Sequence, residues 1–267
     1  MVLYDTIQLL FSRYRSRIEN LRIADVRLGV HLTAIRLSDD CLGVAATLAD
    51  NQSFCHKNKR DFGDFTPTKI TDATVTGLFE SKKSSAIIDT LKVAVLNAIS
   101  SSLPLDPIYR VLEDMDPIDL VDLQSQKTIT IVGGFQSYIQ KVVETGNRLF
   151  VLEMNENALS AEQKSFYVPA NKYREVIPQS DIVIITGLTL VNNTIDGLLS
   201  AISPGTQVIV TGPSAGILPD ILFENHVNII GSTRITRPDL LFDIVSQGGA
   251  GYHLFKYCAR KICILHE

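Results

Sequence analysis

Apolar residues recur at steps of three and four along the N-terminal segment, through Leu3, Leu10 and Leu21, which predicts an amphipathic helix. Apolar and polar residues then alternate in VRLGVHL (26–32), and a second apolar run, CLGVAATLA (41–49), follows a turn rich in Asp. These two runs predict a β-hairpin in a small antiparallel sheet. The later run SSAIIDTLKVAVLNAISSSL predicts a helix that begins near Ser84 and is buried between layers, with Asn97 as the lone polar residue of its inner side.

The pattern changes after Lys127, where short β-branched runs alternate with helical segments. The predicted strands are TITIV, RLFVLE, DIVIIT, TQVIVT and VNIIG, with KICIL closing the sheet, and the predicted helices span 136–144, 194–202, 218–224 and 238–247. This alternation is typical of a parallel sheet with crossover helices. The sequence therefore predicts an α/β fold: a Rossmann-like, doubly wound, mostly parallel sheet over 127–267, a smaller α+β domain over 1–105, and a linker of prolines and acidic residues over 106–126.

The segment DNQSFCHKNKRDFGDFTPT (50–68) is polar, contains Gly and Pro, and has no period. Such a segment predicts a long loop, and we interpret it as a lid candidate. Its Cys55 and His56 are the weak candidates for soft metal ligands.

Composition and charge limit the classes of partner and the cellular compartment that we expect for this protein. The chain has 45% hydrophobic and 20% charged residues, a net charge of −4 and no long Lys/Arg tract, which predicts a globular protein without a nucleic-acid partner. It has neither an apolar run long enough for a membrane span nor the apolar core of a signal peptide, so we expect a cytoplasmic protein with no membrane partner. Four irregularly spaced cysteines favour reduced thiols over a disulfide framework.

Four predicted strands end at or beside glycine: Gly133–Gly134, Thr186–Gly187, Thr211–Gly212 and Gly231–Ser232. In open α/β sheets, ligands bind outside the carboxyl ends of the strands, where glycine lets backbone approach a ligand. We call this predicted surface the glycine crevice. Each glycine could equally serve a tight turn alone.

The loop TGLTLVNNT adds neutral hydrogen-bonding side chains to that crevice. Asn193 and Asp196 have the spacing of a capping box, which leaves Thr186, Thr189, Asn192 and Thr194 without a predicted structural role. Neutral donors beside a helix N-terminus suit an anionic or polar ligand.

Three sharper kinds of chemistry are weaker alternatives. TGPSAG has the form of a nucleophile elbow at Ser214, with Asp239 or Asp243 and then His253 downstream, but Pro219 delays the helix that an elbow requires. Glu153 follows Gly133 by 20 residues, as a ribose-binding acid would. However, GGFQSY departs from GxGxxG, with Tyr138 at the last glycine position, which leaves an altered nucleotide or pterin-like ligand. A metal site could draw on scattered Cys and His residues, none of them in a metal-binding spacing: Cys55, His56, His226, His253, Cys258 and Cys263.

The runs TGLTLVNNTIDGLL, VTGPSAGILPDILFENHVNIIGSTRITRPDLL and QGGAG resemble the Rossmann-like domain of the “Putative heavy-metal chelation” family, over about 127–265. The segments GVHLTAIRL and KVAVLNAIS are similar to its companion domain, which has an enolase-N-terminal-like fold. The resemblance implies a ligand site between the two domains. The implied residues are Thr186, Gly187, Thr189, Asn192, Thr194, Gly212, Pro213, Ser214, Gly248 and Gly249, with Asn97 facing them.

One position departs from the family pattern. The family tends to have Gly-His-Phe-Pro after the first strand, whereas this chain has Gly133-Gly134-Phe135-Gln136, so any role of that histidine is absent here. We therefore predict a protein that binds a small polar or anionic ligand, or a metal chelate, between its domains. An enzyme acting on a nucleotide-like or pterin-like molecule, with Glu153 or His56 as acid or base, and a protein-interaction factor with a vestigial cleft are the alternatives. Homo-oligomerisation stays open.

Overall fold

The computed structural model describes residues 1–48 and 65–266. Within these ranges, the N-terminal part contains three helices and a three-stranded antiparallel sheet of order β1-β2-β3. Its elements are α1 (Val2–Asn20), β1 (Ile23–Leu28), β2 (Leu32–Leu37), β3 (Leu42–Ala46), α2 (Val75–Glu80) and α3 (Ala86–Ser101).

The C-terminal part is built on an eight-stranded sheet of order β4-β11-β10-β9-β8-β5-β6-β7. Its strands are β4 (Tyr109–Glu113), β5 (Thr128–Val132), β6 (Arg148–Glu153), β7 (Tyr167–Pro169), β8 (Ile182–Thr186), β9 (Gln207–Thr211), β10 (Ile229–Ile235) and β11 (Ala259–His266). Its helices are α4 (Gln136–Glu144), α5 (Tyr173–Val176), α6 (Leu188–Val191), α7 (Ile195–Leu199), α8 (Pro219–Glu224), α9 (Pro238–Ser246) and α10 (Gly251–Tyr257).

The large sheet confirms the predicted doubly wound α/β fold. Strands β10, β9, β8, β5, β6 and β7 are parallel, while β11 is antiparallel to β10. The chain runs from β5 outward to β7, then returns to β8 and continues the other way to β10. The direction of winding therefore changes between β5 and β8, where open α/β sheets form their ligand crevice.

The small sheet corrects the predicted hairpin. VRLGVHL is not one strand, because the chain turns between Leu28 and Leu32, with Gly29 N donating to Leu32 O at 2.9 Å. A Cβ on Gly29 would lie 2.4 Å from the Val245 carbonyl oxygen of α9. The apolar alternation therefore continues across a tight glycine turn, and Val30 is exposed at its tip.

Helix α3 is buried around most of its circumference, as its sequence predicts. The Ser85 hydroxyl caps it by accepting from Ile88 N at 3.2 Å. One face of the small sheet packs against α3, and the residues of the other face, including Leu32 and Val44, pack against α9 and α10. The small sheet is thus enclosed between its own helix and the C-terminal part.

The segment 106–126, predicted as a linker, contributes to the large sheet. Its strand β4 pairs antiparallel with β11, with Leu112 opposite Cys263. A single turn of 3₁₀ helix, Pro117–Leu120, follows, and the Asp116 carboxylate accepts from Ile118 N at its start. The strand YRVLE is short and lies among prolines and acids, so its apolar pattern is too weak to predict a strand.

Within the described part of the chain, no helix is both long enough and apolar enough to span a membrane.

Candidate functional site

The carboxyl ends of β5, β8 and β9 meet at the predicted glycine crevice. Gly133 has a φ of 107°, and a Cβ there would lie 3.1 Å from the Thr186 methyl group. Gly187 N donates to Thr211 O at 2.7 Å, and a Cβ on Gly187 would lie 2.9 Å from Ala215 N. Gly212 also has a positive φ, of 124°. Close backbone packing and left-handed conformations therefore account for these glycines.

The polar residues that follow β8 mainly bond to one another. Thr189 Oγ1 donates to Thr186 O at 2.7 Å, and Thr194 Oγ1 donates to Asn192 Oδ1 at 2.6 Å. The segment is not a plain loop, because it contains the short helix α6. The predicted capping box is wrong: Asn193 has a φ of 57°, and Asp196 Oδ1 instead accepts from Val2 N at 2.7 Å. Many of the Thr and Asn side chains in this segment thus stabilise its own local structure.

Glu153 is the last residue of β6, and the remaining predicted glycines, Gly134, Gly248 and Gly249, lie in loops. Glu153 Oε1 accepts from Met154 N at 2.7 Å and from Asn155 N at 3.1 Å, so it orders the loop after β6. A Cβ on Gly134 would be 3.7 Å from Glu153 Oε2. Gly248 and Gly249 end α9, where Gly249 N donates to Ile244 O at 2.8 Å.

Ser214 joins the two parts of the protein. It is 1% exposed, and its hydroxyl accepts from Ala46 N of β3 at 2.8 Å. His253 Nδ1 accepts from Ala250 N, and the next helix begins only at Pro219. A nucleophile elbow presents its serine openly at the start of a helix, so the hydrolase alternative does not fit this geometry.

Asn97 is the second link between the two parts. Its Nδ2 donates to Val44 O at 2.7 Å and to Pro213 O at 3.0 Å. The residue is 6% exposed, and its Oδ1 has no hydrogen-bond partner among the described residues. Buried polar atoms in native proteins are nearly always paired, so an unpaired one calls for an explanation.

A cavity of about 490 Å³ lies beside Asn97, between α3 and β3 on one side and β10 and β11 on the other. We call it the polar cavity. It belongs to the size range of small-molecule sites. Of the predicted residues, Asn97, Pro213 and Ser232 line it, whereas the Thr186–Thr194 loop does not. Gly231 and Ser232 are predicted to end a strand, but β10 continues to Ile235. The lining residues used below are Asp40, Gly43, Asn97, Ser100, Gly216, Ser232 and Arg234.

The sequence does not indicate most of the polar residues that line this cavity. Ser100 lies three residues after Asn97 on α3, and its buried Oγ also lacks a partner within the described ranges. A Cβ on Gly216 would lie 3.0 Å from Ser232 Oγ and 3.4 Å from Asn97 Oδ1, so this glycine keeps a polar corner open. Helical spacing could have paired Ser100 with Asn97, but nothing local indicates that Ser232 faces them.

Among the described lining residues, the charged side chains are Asp40 and Arg234. Arg234 lies on β10, its side chain is 48% exposed, and Nη1 contacts the Glu113 carboxylate of β4. One guanidinium edge is therefore engaged. An arginine fork has further donors that match a carboxylate.

The described residues do not fit a bare heavy-metal ion. Among residues 1–48 and 65–266, no group of three or more His, Cys, Asp or Glu side chains is arranged to hold one. Cys41 is half-buried and Cys258 and Cys263 are buried, and the weak candidates Cys55 and His56 lie outside the described residues. Burial raises the pKa of Cys258 to about 11 and the pKa of Cys263 to about 12.

These raised pKa values predict slow thiol chemistry. At pH 8 both thiols are protonated, because pH 8 lies below their pKa values, and only the thiolate attacks a disulfide reagent. In a Cys55→Ser variant, we expect Cys258 and Cys263 to react with Ellman's reagent at least about 100-fold more slowly in the native protein than in the unfolded protein. Peptide mapping of the labelled sites measures this. Native labelling at the unfolded rate would contradict the buried positions.

Comparison with known proteins decides the family. The DUF364 model, described as “Putative heavy-metal chelation”, matches residues 116–264, and the DUF4213 model, with the same description, matches residues 11–100. The chain belongs to this family. The two models cover the C-terminal and N-terminal parts in turn, so the polar cavity lies between a DUF4213 region and a DUF364 region.

Relatives match this chain over almost its whole length. An uncharacterised protein of Methanocaldococcus jannaschii is 24% identical over 250 residues, covering 91% of this chain and 90% of that protein. A DUF364 protein of unknown function from Pyrococcus horikoshii superposes with a TM-score of 0.78 at 20% identity, covering 98% of this chain and 99% of that one. One from Desulfitobacterium hafniense gives 0.66 at 16% identity, covering 97% and 98%. The solved structures show the shared fold.

Proposed function

We propose that the polar cavity binds a small polar or anionic molecule, alone or as its metal chelate. The observation that supports this is the Oδ1 of Asn97, a buried acceptor that no residue of 1–48 or 65–266 satisfies, beside a cavity of about 490 Å³. Leaving such an atom unsatisfied costs about 1–3 kcal/mol. A ligand that donates to it recovers this energy on binding.

The donor set favours a chelate over a bare ion. Heavy metals prefer thiolate and imidazole ligands, whereas the polar cavity offers an amide, hydroxyls, one carboxylate and one guanidinium. These groups recognise the organic shell of a complex. The heavy-metal description of the family is consistent with a metal that binds here only as part of its complex with a chelator.

The same lining favours binding over catalysis. Apart from Asp40 and Arg234, its described polar side chains, including Asn97, Ser100 and Ser232, neither accept nor release protons readily at neutral pH. Tyr138 bonds to Asp116, and Glu153 bonds to its own loop. Neither residue lines the polar cavity.

Native mass spectrometry of the freshly purified protein, beside its denatured mass, tests the proposal. We expect a non-covalent adduct of organic or metal-plus-organic mass on the wild type and on Gly134→Ala. The adduct should be lost from Gly216→Ala, because the added methyl group enters the polar corner. Gly134→Ala is the matched control, since a Cβ there meets no atom closer than 3.4 Å.

Two results would contradict the proposal. Loss of the adduct from Gly134→Ala alone would move the site to the glycine crevice. A bare wild-type mass, together with no thermal shift from any carboxylate, phosphate or metal chelate in a screen, would mean that the polar cavity holds no such ligand.

A further inference from the structure

The orientation of the Asn97 amide defines what its ligand must offer. The Val44 and Pro213 carbonyl oxygens can only accept, so the Asn97 atom that faces both of them, at 2.7 and 3.0 Å, is the NH₂ group. Oδ1 is therefore the atom that has no partner among the residues the structure describes. Because Oδ1 can only accept, a ligand satisfies it with a hydroxyl or an N–H, and a carboxylate oxygen cannot.

The space beside this acceptor is open for such a donor. A Cβ on Gly216 would lie 3.4 Å from Asn97 Oδ1 and 3.0 Å from Ser232 Oγ, and glycine leaves that position empty. Ser100 Oγ, from the next turn of α3, is a second unpaired oxygen of the same lining. A hydroxyl can both donate and accept, so the serines tolerate several ligand groups, whereas Asn97 selects for a donor.

The charged side chains of the lining require the complementary groups. Arg234 on β10 carries a guanidinium whose free edge matches a carboxylate. Asp40, after β2, matches an ammonium group. A ligand that engages these groups together with Asn97 Oδ1 carries both an anionic end and a donor.

We propose that the ligand class is a small hydroxycarboxylate or aminocarboxylate, with a hydroxyl or amino group directed at Asn97 Oδ1 and a carboxylate directed at Arg234. This inference rests on the proposed function. Such molecules also chelate metals through the same oxygen and nitrogen atoms, so the free acid and its metal complex share the chemistry that the polar cavity recognises.

Three four-carbon dicarboxylates test this class, because they differ only at the second carbon. Malate carries a hydroxyl there, aspartate an ammonium group, and succinate only hydrogens. By isothermal titration calorimetry at fixed pH and ionic strength, we expect malate or aspartate to bind roughly 10-fold more tightly than succinate, since succinate leaves the buried acceptor unpaired. A parallel titration with one equivalent of Ni²⁺ distinguishes the free acid from the chelate.

Variants locate each contact. Gly216→Ala should remove most of the preference for malate or aspartate over succinate, because its methyl group occupies the donor position. Arg234→Gln should lower the binding affinity of all three ligands by roughly 10-fold. Arg260→Gln is the charge-matched control: Arg260 lies opposite Arg234 in the β10–β11 register but does not line the polar cavity, so affinities should stay within about twofold.

The outcomes separate this inference from the proposed function. Equal affinity for all three acids would overturn the ligand class. A second result would also overturn the ligand class: none of the three acids binds at about 10 mM, with or without Ni²⁺, while the wild type keeps an adduct that Gly216→Ala loses. In that case the proposed function would stand. Absence of both the adduct and any binding would overturn both.

Discussion

Replacing Gly43 by alanine should lower the midpoint of thermal unfolding by roughly 6–12 °C, which corresponds to about 3 kcal/mol. Gly43 is buried in β3, where a Cβ would lie 2.0 Å from Ala94 O and 2.6 Å from Ala98 N of α3. Both are backbone atoms of a buried helix, so no side chain can move aside. The methyl group would force the strand and the helix apart. Circular dichroism during heating measures the shift.

Gly134→Ala is the control for the loss of a glycine. Its nearest neighbours would be Ala158 O at 3.4 Å and the Ala158 Cβ at 3.5 Å, which is ordinary van der Waals contact. Its midpoint should lie within about 2 °C of the wild type. If Gly43→Ala were as stable as Gly134→Ala, β3 and α3 could not be in backbone contact as described.

This contact matters for the site because Gly43 also lines the polar cavity. Separating β3 from α3 would displace Val44 O, which holds the Asn97 amide, and Ala46 N, which bonds to Ser214. We therefore expect ligand affinity to fall along with stability. The packing of the small sheet and the orientation of Asn97 depend on the same close approach.

The fold could be predicted because its elements follow from local patterns. β-branched runs mark the parallel strands, and helix α4 begins and ends at the predicted Gln136 and Glu144. These patterns do not predict a turn where glycine lies within a continuous alternation of apolar and polar residues, as Gly29 does. They also fail at β4, a single short run in the middle of the chain that pairs with β11, a strand near the C-terminus.

The site was less predictable, because its residues meet only after folding. Asn97 could be singled out as a polar residue on an otherwise apolar helix, but Ser232 and Arg234 lie on a strand whose pattern does not show which face meets α3. The TGLTLVNNT loop illustrates the opposite case. Its cluster of donors predicts a ligand, whereas Asn192 and Thr194 bond to each other. Hydrogen bonds within the loop therefore account for much of its richness in Thr and Asn.

Replacing Asp116 by alanine should destabilise the protein by about 3 kcal/mol. Its carboxylate accepts from the Tyr138 hydroxyl, from Lys261 Nζ and from Ile118 N. Tyr138 is 6% exposed, so its hydroxyl would lose its acceptor in a dry environment, which is the largest part of the cost. Lys261 is 42% exposed and adds less, because water screens it. Chemical denaturation followed by fluorescence measures the change.

Asp119→Ala is the matched control, since Asp119 lies three residues further along and pairs with Lys141 at the surface. Such an exposed pair contributes about 0–1 kcal/mol. If both variants lost equal stability, the contacts of Asp116 would be no more buried than a surface ion pair.

A double-mutant cycle with Tyr138→Phe isolates the central bond. Phenylalanine keeps the ring and removes the hydroxyl, so Asp116→Ala should cost about 1–2 kcal/mol less in that background. Burial, with Asp116 beside it, raises the pKa of Tyr138 well above its ordinary value. A raised pKa stabilises the native state below the unfolded value of about 10, and this stabilisation is lost as the pH rises above it. Tyr138→Phe should therefore flatten the fall in stability above about pH 10. An unchanged alkaline fall would contradict the buried hydroxyl, and with it the bond by which Asp116 joins the turn after β4 to helix α4.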